Sequence, residues 1–231
     1  MIFTLESLYA LHMLNYNGYS EDLFLLPLPE LTDEEKPVQL KQILEKGFSD
    51  LQSMGLIDEN SEPTTACMAK AVYLQKYQEA YSHCEVDDKY FCAQLVDSNR
   101  WYHIVIEKVD KNAYRLDRIH SFQFLGTVIK EHLFLSDKIP ERDPNPAAAE
   151  WRTYSEERLI IYYRKAPALR ITSYSGQNKS RDYLYLNAPS AIYQYDVLEQ
   201  RIRSISTDEL KKEIINQLKV RIQPCQKLVF P

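Results

Sequence analysis

Glycine is scarce in this chain, with 5 among 231 residues. The loops that cradle phosphates depend on it, and neither GxGxxG nor GxxxxGK[ST] occurs. The GxSxG elbow that exposes a nucleophilic serine is missing too. Cysteine is limited to Cys67, Cys84, Cys92 and Cys225, with no CxxC pair. Thiols so placed fit a reducing compartment better than a disulfide framework. No apolar run approaches the ~18 residues of a membrane-spanning helix. The opening MIFTLESLYALHML lacks the basic start of a secretory signal. The expectation is a cytoplasmic protein without direct membrane insertion.

Positive charge is the next shortage. The whole chain carries 28 basic and 33 acidic side chains, a net of −5. Residues 1–80 hold only 5 of the basic ones against 13 acidic, a net of −8, and residues 81–231 hold 23 against 20, a net of +3. One stretch, Met54-Gly55-Leu56-Ile57, imitates the exit of a recognition helix. The helix before it sets Lys41 and Lys46 against Glu45 and Asp50. Affinity for duplex DNA comes mainly from Lys and Arg neutralising phosphates, so the charge argues against nucleic acid as a partner. The five histidines form neither HxxxH nor HExxH. His83, Cys84, Cys92 and His103 come close in sequence, but a metal would need four converging ligands, and buried thiols near a sheet are the simpler reading. Neighbouring acids such as Asp87-Asp88 and Glu156-Glu157 should point to opposite faces of a strand rather than form a dyad. No cofactor, metal or catalytic residue is expected.

What is present is a folded chain, 45% apolar and 26% charged, with 17 tyrosines. Thr4 caps a helix to about Leu14, with Leu5, Leu8, Leu11 and Leu14 at helical spacing. The stretch Leu23–Leu26 lies against the body. Pro37 opens a second helix with the stripe Leu40, Ile43, Leu44, Phe48, Leu51 and Met54, stopped by Gly55. A third helix runs from Thr64 or Thr65 to Tyr81, with Met68, Ala71, Leu74, Gln75 and Tyr81 inward. Strands follow at Tyr90–Val96, Trp101–Val109 and Tyr114–Ile119, separated by turn sequences, and both faces of this sheet should be covered by helices. Ser121 caps a helix to about Leu133. The second round has strands at Arg158–Arg164, Ala168–Tyr174, Tyr183–Leu186, Ala191–Val197 and Arg201–Ser206, then a helix capped by Thr207 and reaching about Leu218.

The two rounds echo one another at a distance of 86 residues. Ile119, Ser121, Phe124, Val128 and Ile129 correspond to Ile205, Thr207, Leu210, Ile214 and Ile215. The fold class is α+β: a mainly antiparallel sheet flanked by helices, and the echo fits either two related β-then-α subdomains or the strand-into-helix step that any α+β protein makes. Four parts follow: an acidic helical segment 1–82, a first strand-and-helix unit 83–135, a Pro-rich exposed loop 136–150, and a second unit 151–231.

The positive functional signal is surface for another protein. Tyr154, Tyr162, Tyr163, Tyr174, Tyr183, Tyr185, Tyr193 and Tyr195 crowd the second sheet, more than one core face can hold. Aromatic rings with a polar tip favour protein–protein interfaces. Tyr183, Tyr185, Tyr193 and Tyr195 are the candidate contact residues, with Pro140, Pro144 and Pro146 of the loop at its margin.

The opening resembles the EspG proteins associated with ESX (type VII) secretion. Phe3, Thr4, Ser7, Leu8 and Leu11 match their first helix, and Leu26-Pro27-Leu28-Pro29 their connection. Leu51, Gly55, Leu56 and Ile57 match the end of their second helix, and Asp58 and Glu59 the acidic stretch after it. The closing Ile205, Thr207, Leu210, Ile214 and Leu218 are similar as well. The resemblance is strongest over residues 1–80. It implies a central antiparallel sheet in two related subdomains, and a bacterial cytosolic chaperone or adaptor that binds the tip of a helical-hairpin client. The chain is shorter and poorer in Gly and Ala than mycobacterial members, whose clients are PE and PPE pairs. It is similar to a low-GC Gram-positive version, for which the resemblance implies a WXG100- or LXG-type client. An immunity-type or scaffold protein that binds a toxin domain is the alternative, and an enzyme with a dispersed site the lesser one. Monomer and homodimer both remain open.

Overall fold

The structure, a computed structural model, describes residues 1–15, 22–28, 36–95, 102–136, 140–155, 159 and 167–221. The protein is α+β, and its sheet has nine antiparallel strands. Three helices come first: α1 (Leu5–Leu14), α2 (Lys36–Ser53) and α3 (Thr65–Glu79). Four strands follow, β1 (Ser82–Val86), β2 (Tyr90–Gln94), β3 (Tyr102–Asp110) and β4 (Ala113–His120), then α4 (Ser121–Glu131). After two short 3-10 turns come β5 (Arg152–Thr153), β6 (Ala168–Ser175), β7 (Asn178–Asn187), β8 (Ile192–Asp196), β9 (Arg201–Ile205) and a last helix, α5 (Thr207–Gln217).

The strand order is β4-β3-β2-β1-β6-β7-β8-β9-β5. Outward from the central β1–β6 pair, each side steps through four consecutive strands and ends in a helix. The first unit is β1–β4 with α4, and the second is β6–β9 with α5. The 86-residue echo falls on equivalent positions of these units. Phe124 and Val128 of α4 and Leu210 and Ile214 of α5 all enter one core on the same face of the sheet. The caps sit one residue earlier than Ser121 and Thr207. His120 accepts from Phe122 N, and Ser206 Oγ accepts from Glu209 N at 3.1 Å. Ser121 and Thr207 are instead buried against the sheet.

The reverse face is covered unequally. Over the first unit lie α1 and α3, burying Leu8, Leu11, Ala71 and Leu74 against Phe91, Ala93, Ile104, Ile106 and Leu116. Helix α2 rides on α1 through Gly47, where a Cβ would sit 2.1 Å from the Glu6 carbonyl oxygen. The Thr4 hydroxyl caps α1 and donates to Asp50 Oδ2 at 2.6 Å, tying the two helices. Gly55 ends α2 at φ 70, the left-handed stop expected of it. Leu23 and Leu26 are buried, and the Tyr9 hydroxyl donates to the Leu26 carbonyl. In α3 the inward face carries Cys67 and Tyr77, while Tyr81 stands 67% exposed beyond the helix. Ala71 and Leu74 are buried as expected, whereas Met68 and Gln75, expected inward, are half-buried at the flank of that face, with Cys67 and Tyr77 in their stead. Over the second unit a smaller cluster of Leu159, Leu184, Leu186, Tyr195 and Ile202 fills the reverse face.

Strand β1 was not expected, because Ser82-His83-Cys84-Glu85-Val86 mixes polar and apolar residues on both faces. Its central position makes that mixture sensible. Cys84 and Val86 join the α4–α5 core, and His83 meets Tyr77 and Phe24 on the other side. Asp87 and Asp88 do not continue a strand: both have φ 53 and form the β1–β2 turn. The expected strand at Arg158–Arg164 lies outside the described residues apart from Leu159, which is buried.

Candidate functional site

The four candidate tyrosines do not form one surface. The register pairs Tyr183 with Asp196, Leu184 with Tyr195, Tyr185 with Gln194 and Leu186 with Tyr193. Tyr183 and Tyr185 therefore face α5, whereas Tyr193 and Tyr195 face the opposite way beside Leu184 and Leu186. Tyr185 and Tyr195 are core residues, 0% and 1% exposed. Tyr183 and Tyr193 are half-buried, one on each face. Alternation within a strand sorts its own side chains between two faces, but only the register between strands sets which tyrosines share a face. The segment 136–150 is also less free than a Pro-rich loop implied. Arg142 exchanges main-chain and side-chain hydrogen bonds with Thr207, and its guanidinium donates to Asn187 Oδ1 and the Ala188 carbonyl. Past Pro140 and Pro144, Pro146 opens a 3-10 turn that buries Ala148.

On the reverse face, where β1, β6 and β7 meet, lies a polar cluster. Asp182 is buried and takes a bidentate bond from Arg170 (2.9 and 2.8 Å), with the Thr172 hydroxyl at 3.1 Å and Lys179 at 3.6 Å. Burial pushes its carboxyl up, but these partners outweigh that and hold it below the usual range. Beside it the Tyr174 hydroxyl donates to Glu85 Oε2 at 3.0 Å, and burial together with Asp88 raises the Glu85 carboxyl. Every group here is engaged within the sheet, and the cluster reads as a structural joint. The sulfur chemistry is equally closed. Cys84 and Cys92 pair across β1 and β2, fully buried, and burial lifts the Cys92 thiol far from its reactive form. His83 points to the opposite face from Cys84. Among the described residues no group of three His, Cys, Asp or Glu could hold a metal ion.

The C-terminal ends of α4 and α5 occupy equivalent places in the two units, and they are finished differently. At the end of α4, Glu131 binds both Lys89 and the Tyr90 hydroxyl, and His132 pairs with Asp87 at 2.8 Å. Asp87 in turn accepts from Arg170 N at 2.8 Å. Phe134 and Leu135 then turn in and bury themselves. That end is closed.

Among the described residues the end of α5 is filled less completely. Gln94 and His103, from β2 and β3, hold its last carbonyls: Gln94 Nε2 donates to Gln217 O at 2.7 Å, and His103 Nε2 meets Leu218 O at 3.0 Å. The imidazole thereby carries its proton on Nε2, and burial holds it down at about 4 despite that bond. Lys219 leaves the helix with φ 48 and reaches the Ser82 hydroxyl. Two adjoining hollows, of about 740 and 440 Å³, flank Lys219. Their floor is Ser82, Gln94, His103, Ser173 and Ser175, and their roof is Asn216 and Gln217. Arg181, Lys219 and Arg221 stand at the mouth, and among the described residues none that lines either hollow is acidic. Three buried atoms here have no hydrogen-bond partner: His103 Nδ1, Ser173 Oγ and Gln217 Oε1. Among the described residues, no hydrogen bond joins His103 Nδ1 to the Ser173 hydroxyl, each of which lacks a partner.

The profile of one protein family, described as Domain of unknown function (DUF5081), matches residues 2–225. The chain belongs to the DUF5081 family. Among curated proteins none matches. Membership of DUF5081 covers both units and the helical opening, and its description carries no activity. Among the described residues of this DUF5081 chain no helix is long and apolar enough to cross a membrane. The groove escaped the reading of the sequence because its polar residues come from six elements. Two local signals were nonetheless there. Gln94 ends the inward series Tyr90, Cys92, Gln94, and Gln217 interrupts the inward series Leu210, Ile214, Leu218.

Proposed function

We propose that this protein is a non-catalytic cytoplasmic chaperone or adaptor that holds a helical client of type VII secretion, of the WXG100, LXG or PE/PPE kind, before export. The observation that carries the reading is the paired build. Two four-strand units, each ending in a helix on the same face, share one sheet, with a helical opening lobe on the other side. That is the arrangement implied by the resemblance to the EspG proteins. The lining of the α5 groove supports it further, since apolar Leu95, Ile215 and Val220 lie beside the polar floor and a cationic mouth. Covering apolar client surface at about 25 cal/mol per Å², less the cost of ordering it, gives the reversible binding that an export chaperone needs.

The test is co-expression with WXG100- and LXG-type proteins, followed by size-exclusion chromatography with light scattering. A stable complex with one of these clients is the expected result. Separate elution of every helical client, with capture of a globular toxin domain instead, would transfer the protein to the immunity-type reading.

A further inference from the structure

We draw no further inference here: the strongest candidate, the outer face of α4 with exposed Phe122 and with open space at Gly126, is a helix face that nothing among the described residues covers, and nothing in the structure shows what would cover it.

Discussion

The two units of the sheet share a topology but differ in what surrounds them. The first is sandwiched, with α4 on one face and α1–α3 on the other, and its reverse face is apolar from Phe91 to Leu116. The second has α5 on one face, but beside the centre of its reverse face it buries an ion pair, Arg170–Asp182. The C-terminal end of α4 is locked by ion pairs and filled by Phe134, while among the described residues that of α5 is held by hydrogen bonds, from Gln94 and His103 to its last carbonyls, from Gln217 to Tyr185 and from Lys219 to Ser82. Two units of the same topology can thus be finished differently, with ion pairs and an aromatic ring at one helix end and hydrogen bonds at the other. In such a molecule function is to be sought where the copies depart from each other, because the shared features are accounted for by folding.

The largest way to break this contrast is at the buried ion pair. Arg170→Met leaves Asp182, whose side chain is 1% exposed, without its main partner. Loss of stability on the order of 3 kcal/mol is expected in urea denaturation. The R170M/D182L double variant should regain most of it, whereas in an apolar site the two losses would add.

Acid comes next, because two buried histidines, one on β1 and one on β3, are held neutral. His83 and His103 sit at about 4 instead of 6.5, chiefly through burial. The unfolded chain therefore takes up their protons first as pH falls. Their contribution is complete above pH 6.5 and is lost between 6.5 and 4, roughly 3 kcal/mol for each. Asp182, held low, adds to the loss only below about pH 4. Glu85 works the other way: its raised carboxyl favours the fold at low pH, and that contribution fades as pH rises through its folded value. Urea midpoints at pH 7.5 and 5.0 should fall in the native chain, and H103F should flatten the fall by about half.

Gly47→Ala probes the lobe that covers only the first unit. The added methyl would meet the Glu6 carbonyl at 2.1 Å and Ala10 Cβ at 2.8 Å, so α2 must lift from α1. A loss of about 1–3 kcal/mol is expected, after the better helix propensity of alanine is counted, and thermal unfolding measures it. The smallest effect belongs to Lys89→Gln at the end of α4. Lys89 and Glu131 are each about a third exposed, so stability should change by less than about 1 kcal/mol.

Much of this fold was legible in the sequence. Thr4 and Gly55 marked the first helix start and the second helix end, the 86-residue echo marked the two units, and the apolar stripes of α4 and α5 marked their shared core. What escaped was set by contacts distant in sequence. Strand β1 has no alternation of its own because both its faces are buried under different layers. Tyr185 reads as a surface aromatic until Gln217 and Gln194 are seen around its hydroxyl. The Pro140–Pro146 stretch reads as loose until Arg142 is seen bound to Thr207. The groove has only two faint linear signals, the glutamines at Gln94 and Gln217 in apolar inward series, since Gln94, His103, Ser173, Arg181 and Gln217 meet only once β1 and β6 join the units edge to edge.

The most direct measurement is hydrogen–deuterium exchange of the full chain with and without a co-purified helical client. The account predicts added protection in peptides covering residues 90–95, 173–181 and 214–221, around the end of α5, with residues 128–136 unchanged. Protection confined to the end of α4, or no protection in the α5 segments despite a stable complex, would contradict it.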